Sequence, residues 1–305
     1  MNYLSEKNRV LFNTLKYFSA AIITILAVFI FTGTISASAA KKNTAKTTVK
    51  TVSKVTLSTP KMTPTKTIDS DYTHPYNRQT SQINVRWNKV NGAQAYQLYI
   101  KGGKYKNWKL CKYLKGTSFT VKNLTRATTY YFKVRAVSGK TYSSFSQAQK
   151  IPTARINYDK NGWQAICRIV YHEVGMINTS AWDRPIVYVA DCVVNRYVQA
   201  KYMNDPLWAP YYRKYNNIQS MIYNSGGFMS SAGLARDGAV YSRVNSRVKT
   251  AVMGAVYAQT TLRNIKNDYN IFYWCNRSYK QNSKKIAYSF KIPWGYFNIW
   301  RSYWG

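Results

Sequence analysis

Leu124, Thr128, Tyr130, Phe132, Val134 and Ala136 fall at even spacing, and this run constrains the fold more than any other part of the 305-residue chain. Successive side chains of a strand point to opposite faces, so strict period two over that length means a strand with one buried face. The same alternation occurs at Ile83, Val85 and Trp87, and again at Tyr96, Leu98 and Ile100 after the turn-prone Asn91-Gly92; Phe119 and Val121 follow. Residues 80–153 therefore read as an all-β unit. From Asn157 the period changes. Trp163, Ile166, Cys167, Val170 and Val174 recur at helical spacing, and Asp159 or Asn161 can cap the start. Further helices are expected over Pro185–Ala200, Asn217–Tyr223 and Ser246–Gln259, before a strand-like Ile271–Trp274 and an aromatic tail with Trp294, Trp300 and Trp304. Residues 157–305 read as a mostly helical domain with little sheet.

Within the β unit, Leu124-x-x-x-Thr128-x-Tyr130 resembles the corner that precedes the F strand of fibronectin type III domains, with Trp87 at the B-strand core position. A tyrosine there closes the corner by pairing its hydroxyl with nearby backbone. Arg126 stands where that corner commonly has proline. The resemblance implies a sandwich of the spacer or adhesion kind, and no constellation within it looks catalytic.

Two segments precede the β unit. Lys7, Arg9 and Lys16 lead into an apolar run from about Phe18 to Ile35, and Ala37-Ser38-Ala39 offers small residues at an exit. This is the pattern of a secretory signal peptide over residues 1–40, so the protein is expected outside the cell, associated with the wall. An uncleaved anchor is the alternative, since the run is just long enough to span a bilayer. Residues 41–79 are rich in Lys, Thr, Ser and Pro, and such a stretch cannot bury enough apolar surface to offset its ordering entropy. It is expected to be a flexible basic linker.

The formal net charge is +35, from 45 Lys and Arg against 10 Asp and Glu. That balance predicts attraction to polyanions, and the partners expected from charge are anionic polymers of the wall, held through the basic surface and the linker. Nucleic acid is not the expected partner, because the charge runs through linker and both modules without a recognised nucleic-acid motif. Only two histidines occur, His74 and His172, and no Cys-x-x-Cys is present. A zinc peptidase or amidase needs a cluster of His, Asp or Cys ligands, so no metal or other cofactor is expected. Glu6 lies in the leader, which leaves Glu173 as the one glutamate of residues 41–305. Counted along a helix, Glu173 follows Val170 by three and Ile166 by seven, which places it on the apolar stripe. Burial there would raise its carboxyl pKa, as a general acid near neutral pH requires.

Three blocks carry a second resemblance: Ile169-Val-Tyr-His-Glu173, Val187-Tyr-Val-Ala-Asp-Cys-Val-Val-Asn-Arg196 and Ile271-Phe-Tyr-Trp-Cys-Asn276. In order and spacing they are similar to the spore cortex-lytic, SleB-type cell-wall hydrolase domain. The resemblance implies a mainly helical, lysozyme-like α+β catalytic domain acting on peptidoglycan glycan strands, chiefly as a lytic transglycosylase, with Glu173 catalytic. It offers Tyr171, His172, Asn195, Arg196, Phe228, Trp274 and Asn276 as substrate-binding residues. The family usually continues Glu-Ala-Arg-Gly-Glu, whereas here Val174-Gly-Met-Ile-Asn-Thr-Ser-Ala-Trp-Asp183 follows, an insertion of about four residues without the second glutamate. The Phe-Ser block that commonly follows the family's central helix appears here only as Phe228-Met-Ser230.

Two-carboxylate hydrolysis needs a second acid at a fixed separation, and a transglycosylase does not. One glutamate suits the latter; Asp183, Asp191 and Asp237 remain candidate second carboxylates. Asn195 and Arg196 admit structural roles equally, and among Cys167, Cys192 and Cys275 a disulfide and buried thiols are both open. The reading from another class is a non-catalytic wall-binding or adhesion protein with a degenerate hydrolase domain.

Overall fold

The computed structural model describes residues 56–63, 79–177, 179–224, 227–258 and 262–302. The expected signal peptide, most of the expected linker and Trp304 lie outside them.

The β unit is a sandwich of two antiparallel sheets. β1 (Ile83–Arg86) pairs with β4 (Ser118–Val121), aligning Ile83 with Val121. The larger sheet runs β3 (Tyr105–Leu114), β2 (Ala95–Gly102), β5 (Thr129–Ser138), β6 (Thr141–Tyr142), with β7 (Gln149–Pro152) also on β5. Leu98 aligns with Val134 and Ile100 with Phe132, all buried, so the period-two residues of neighbouring strands meet in one core. Trp87 is buried there and lies edge-on to Tyr96. The corner forms as expected: the Tyr130 hydroxyl accepts from the Thr125 backbone N–H at 2.9 Å. Gly103 fits against it, because its φ is +53° and a Cβ would stand 2.6 Å from that hydroxyl.

Residues 56–63 depart from the expected linker. Leu57 and Met62 are buried in the sandwich core, Met62 bridges to Trp87, and Thr63 N–H donates to Arg86 O at 3.0 Å. Two apolar residues six positions or fewer apart suffice to dock a short segment on an open sheet edge, and composition over the whole stretch averages them away.

The second domain opens with α1 (Lys160–Val170), capped by Asp159, whose carboxylate accepts from Gly162 N–H at 2.7 Å. A π-helical turn (Tyr171–Gly175) follows, then α2 (Asp183–Tyr202), α3 (Ala209–Tyr215), α4 (Ile218–Tyr223), α5 (Ser231–Arg236) and α6 (Ser246–Tyr257). α2 is apolar almost all round and lies at the centre, against α1, α6 and the closing sheet. That sheet is larger than expected: β8 (Tyr273–Arg277), β9 (Ile286–Ile292) and β10 (Gly295–Trp300) pair antiparallel in the order β8-β10-β9. The helices α3 and α5 were also not expected, being too short to show a period. All four cysteines are free thiols.

The two domains share contacts at the junction. Thr80 donates through both N–H and Oγ1 to Asn157 Oδ1, at 2.9 and 2.8 Å. The Arg126 guanidinium lies 4.4 Å from the Tyr202 ring centre. Replacing Tyr130 with Phe leaves the Thr125 N–H without its acceptor. Tyr130→Phe is expected to cost the sandwich about 1–2 kcal/mol, read as a lower urea midpoint; an unchanged midpoint would rule out a stabilising role for the corner.

Candidate functional site

Glu173 stands on the π-helical turn. Its peptide geometry is wide, Met176 N–H donating to Tyr171 O at 3.1 Å, so residues after Val170 leave the 3.6-residue register of α1. The expectation that Glu173 continues the apolar stripe is corrected here: its side chain is 27% exposed, not buried. The widened turn rotates it out of the core while Val174 remains in. Gly175 lets the turn sit close to α6, since a Cβ there would lie 2.4 Å from Val248 Cγ2.

The carboxylate is anchored by one neighbour and approached by another. Trp274 Nε1 donates to Glu173 Oε2 at 2.7 Å, and His172 Nδ1 lies 3.4 Å from Oε1, an ion-pair distance without hydrogen-bond geometry. His172 is fixed from its other side, with Nε2 3.1 Å from Asp237 Oδ2. Asp237, His172, Glu173 and Trp274 thus form a continuous row. Behind it, Phe228 stacks on Trp274 with centroids 5.5 Å apart and planes at 10°. Arg196 closes the cluster. Its guanidinium is 4.5 Å from the ring centres of Phe228 and Tyr273 and 5.2 Å from those of Trp208 and Trp274, while Nε donates to Phe272 O at 2.5 Å. A planar, weakly hydrated cation suits such ring faces.

Of the residues singled out in sequence, His172, Glu173, Arg196, Phe228 and Trp274 come together. Asn276 is exposed two positions beyond Trp274, on the same side of β8. Tyr171 is half-buried, its ring packed against Gly175. Asn195 is set apart from this group. It is 1% exposed, accepts from Arg155 Nη2 at 2.6 Å and donates to Asp268 O and Ile271 O at 3.0 and 2.8 Å. Those bonds use its amide fully, which is the structural role left open in sequence. Trp208 and Tyr273 complete the arginine's surroundings; Trp208 was not singled out, because it follows an irregular Asp205-Pro206-Leu207 with no period to betray it.

The three candidate second carboxylates separate. Asp183 is buried and paired with Arg247 Nε at 2.8 Å and Arg263 Nε at 2.6 Å. Asp191 is buried and accepts from Asn267 Nδ2 at 2.9 Å and Asp268 N–H at 2.8 Å. Only Asp237 reaches the Glu173 row, through His172.

Comparison with known proteins adds the origin of the sandwich. The family model described as fibronectin type III domain matches residues 72–151. Residues 72–151 are a fibronectin type III domain. Similar solved structures include the crystal structure of FN3tt, 20% identical, covering 33% of this chain and 99% of that one with a TM-score of 0.25. The solution structure of the fibronectin type III domain of human fibronectin type III domain containing protein 3 is 21% identical, covering 34% and 91%, with a TM-score of 0.27. No curated protein matches the chain. The family match begins inside the stretch expected as linker and ends before α1, so the fibronectin type III domain is followed by a region of helices and some strands.

That region meets the fibronectin type III domain at Arg155, beside Asp191. Burial pushes the Asp191 carboxyl up to about 7, against bonds from the Asp268 N–H and Asn267 and the charge of Arg155, which lower it. A carboxyl raised on folding binds its proton more tightly in the folded state. Its contribution is therefore complete below the ordinary carboxylate range and lost as pH rises to about 7. Stability is expected to fall by up to about 1.4 kcal/mol per pH unit from this group between roughly pH 4 and 7. Asp191→Asn should flatten that slope in denaturant titrations at several pH values; equal slopes in both proteins would refute it.

Proposed function

We propose that residues 157–305 cleave the glycan strands of peptidoglycan as a lytic transglycosylase, with Glu173 as the single acid and base. The observation that carries this reading is the placement of the one glutamate of residues 41–305: part-exposed, anchored by the Trp274 indole, and bordered by an aromatic shelf suited to sugar faces. In this scheme protonated Glu173 gives its proton to the glycosidic oxygen as the bond from muramic acid C1 breaks. The resulting carboxylate takes the proton of the muramic acid C6 hydroxyl while that oxygen closes on C1. A 1,6-anhydro end and a free 4-hydroxyl result, Glu173 is again protonated, and no water is consumed. His172, held by Asp237, stands 3.4 Å from the carboxylate and limits its rotation. Phe228, Trp274 and Asn276 line the approach, with Arg196 stiffening the ring cluster from behind. The lysozyme-like character of the domain, its similarity to SleB-type hydrolases and its place outside the cell in the wall belong to the same proposal.

The fibronectin type III domain favours a second reading, since such a domain is compatible with a wall-binding or adhesion role without turnover.

The readings separate on purified peptidoglycan, with products analysed by mass spectrometry. Anhydro-muramic ends are expected from the intact protein, and Glu173→Gln should lower their rate at least ~100-fold. Asp237→Asn, which only loosens His172, should cost about tenfold. Absence of anhydro ends under varied pH and wall type supports the adhesion reading. Reducing ends, lost equally with Glu173→Gln and Asp237→Asn, would show two-carboxylate hydrolysis instead.

A further inference from the structure

The fibronectin type III domain is unusual in charge. Residues 72–151 contain fifteen Lys and Arg and no Asp or Glu. Every cation of the domain therefore lacks a carboxylate partner within its own sequence. On the outer face of the larger sheet these cations are fixed against rings. Lys133 Nζ lies 4.2 Å from the Phe145 ring centre and 4.5 Å from that of Trp108. The Arg135 guanidinium lies 4.3 Å from Tyr142 and 4.9 Å from Phe145, and its Nε donates to Gln97 Oε1 at 2.8 Å. Tyr99 sits between the two cations, 6.0 Å from Lys133 and 5.9 Å from Arg135, and meets Phe145 edge-on at 85°. Lys133 and Arg135 alternate on β5 with buried Phe132, Val134 and Ala136, so they point away from the core.

Holding cations on ring faces keeps them together at a separation that mutual repulsion would otherwise widen. Such a concentration of fixed charge favours a ligand that brings repeated anions and apolar C–H surface. We propose that this outer face, formed by β3, β2, β5 and β6, docks a phosphate-rich anionic polymer of the cell wall, a chain of sugar or polyol units joined by phosphodiesters. Lys133 and Arg135 pair with successive phosphates, and the exposed Tyr142 packs against the units between them. Nucleic acid offers the same phosphates, but base stacking needs open ring planes. Here Tyr99 and Phe145 are edge-on to each other beneath the cations, and Arg135 covers one face of Tyr142, which favours the polymer without bases. The wall as the source of the polymer rests on the function proposed above; the docking chemistry does not require cleavage.

The test is co-sedimentation of the purified protein with wall sacculi, before and after chemical removal of phosphodiester-linked polymers. Lys133→Gln with Arg135→Gln is compared with Lys89→Gln with Lys122→Gln, which removes the same charge from exposed sites off this face. The dissociation constant for intact sacculi is expected to rise about tenfold on removal of the polymers, and about tenfold for the Lys133/Arg135 pair, but less than about twofold for the control pair. Unfolding midpoints verify that the variants fold; Lys133→Gln alone replaces the pair if it does not, with a loss of about threefold expected. Equal losses in both pairs would reduce the effect to net charge and overturn the proposal. So would undiminished binding to stripped sacculi, or stronger competition by duplex DNA than by the released polymer at equal phosphate. Anhydro products released from soluble glycan strands are measured on the same preparations, so a failure of cleavage and a failure of docking register separately.

Discussion

A buried guanidinium, that of Arg155, ties together the parts on which the candidate site depends. Nη1 donates to Ala255 O at 3.1 Å in α6, Nη2 to Asn195 Oδ1 in α2, and the cation lies 4.2 Å from the Tyr269 ring centre. Its backbone N–H donates to Val256 O at 2.7 Å, and its carbonyl accepts from Arg126 Nη1 of the fibronectin type III domain at 3.3 Å. Burial lowers its pKa, and the nearby Asp191 opposes that shift. A buried charge is tolerated only where its donors are met, and here carbonyl, amide and ring meet them. Asn195 passes the restraint on, because its amide holds Asp268 and Ile271, the stretch that leads into β8 and Trp274. The indole that anchors Glu173 is thus located by a chain of bonds starting at the domain junction.

The same need to place cations recurs throughout a protein with 45 Lys and Arg and only 10 carboxylates. Ion pairs cannot serve most of them, and aromatic rings take over. Arg196 among four rings, Lys201 near Tyr197, Tyr202 and Tyr212, and Lys133 and Arg135 on the outer sheet face are instances. Tyrosines such as Tyr99, Tyr142, Tyr202 and Tyr273 therefore have electrostatic as well as packing work. Among the described residues, Asp159 and Asp205 accept from backbone N–H groups, Asp183, Asp191 and Asp268 sit at structural joints, and Asp237 and Glu173 share one row.

Much of the sandwich was legible in advance because strand burial repeats every two residues. The alternation at Ile83–Trp87, Tyr96–Ile100 and Tyr130–Ala136 marks its buried face directly, and Tyr130 declares its own hydrogen bond through the corner motif. The long helices α1, α2 and α6 were legible for the same reason at period 3.6. Short elements were legible unevenly: α4 was expected over Asn217–Tyr223, whereas α3 and α5 were not, and β9 and β10 lie in an aromatic tail whose rings serve core, stack and surface alike. At the candidate site, composition pointed to Glu173, and His172, Arg196, Phe228 and Trp274 lay in segments already marked. Trp208 carried no signal, and Asn195 looked like its neighbour Arg196 although the helix turns the two to different surroundings.

The sequence by itself determined the two-domain order, the identity of the β unit, the excess of cations and the scarcity of glutamate, since each is a property of spacing or of count. Only the tertiary structure decided that Glu173 leaves the apolar stripe, because the π-helical turn adds a residue without altering the pattern around it. Only there, too, did Asp237 become the carboxylate linked to Glu173 while Asp183 and Asp191 sank into structural pairs. Glu173 and Trp274 are about a hundred residues apart, and the bond between them exists because separate elements pack, which no local pattern encodes.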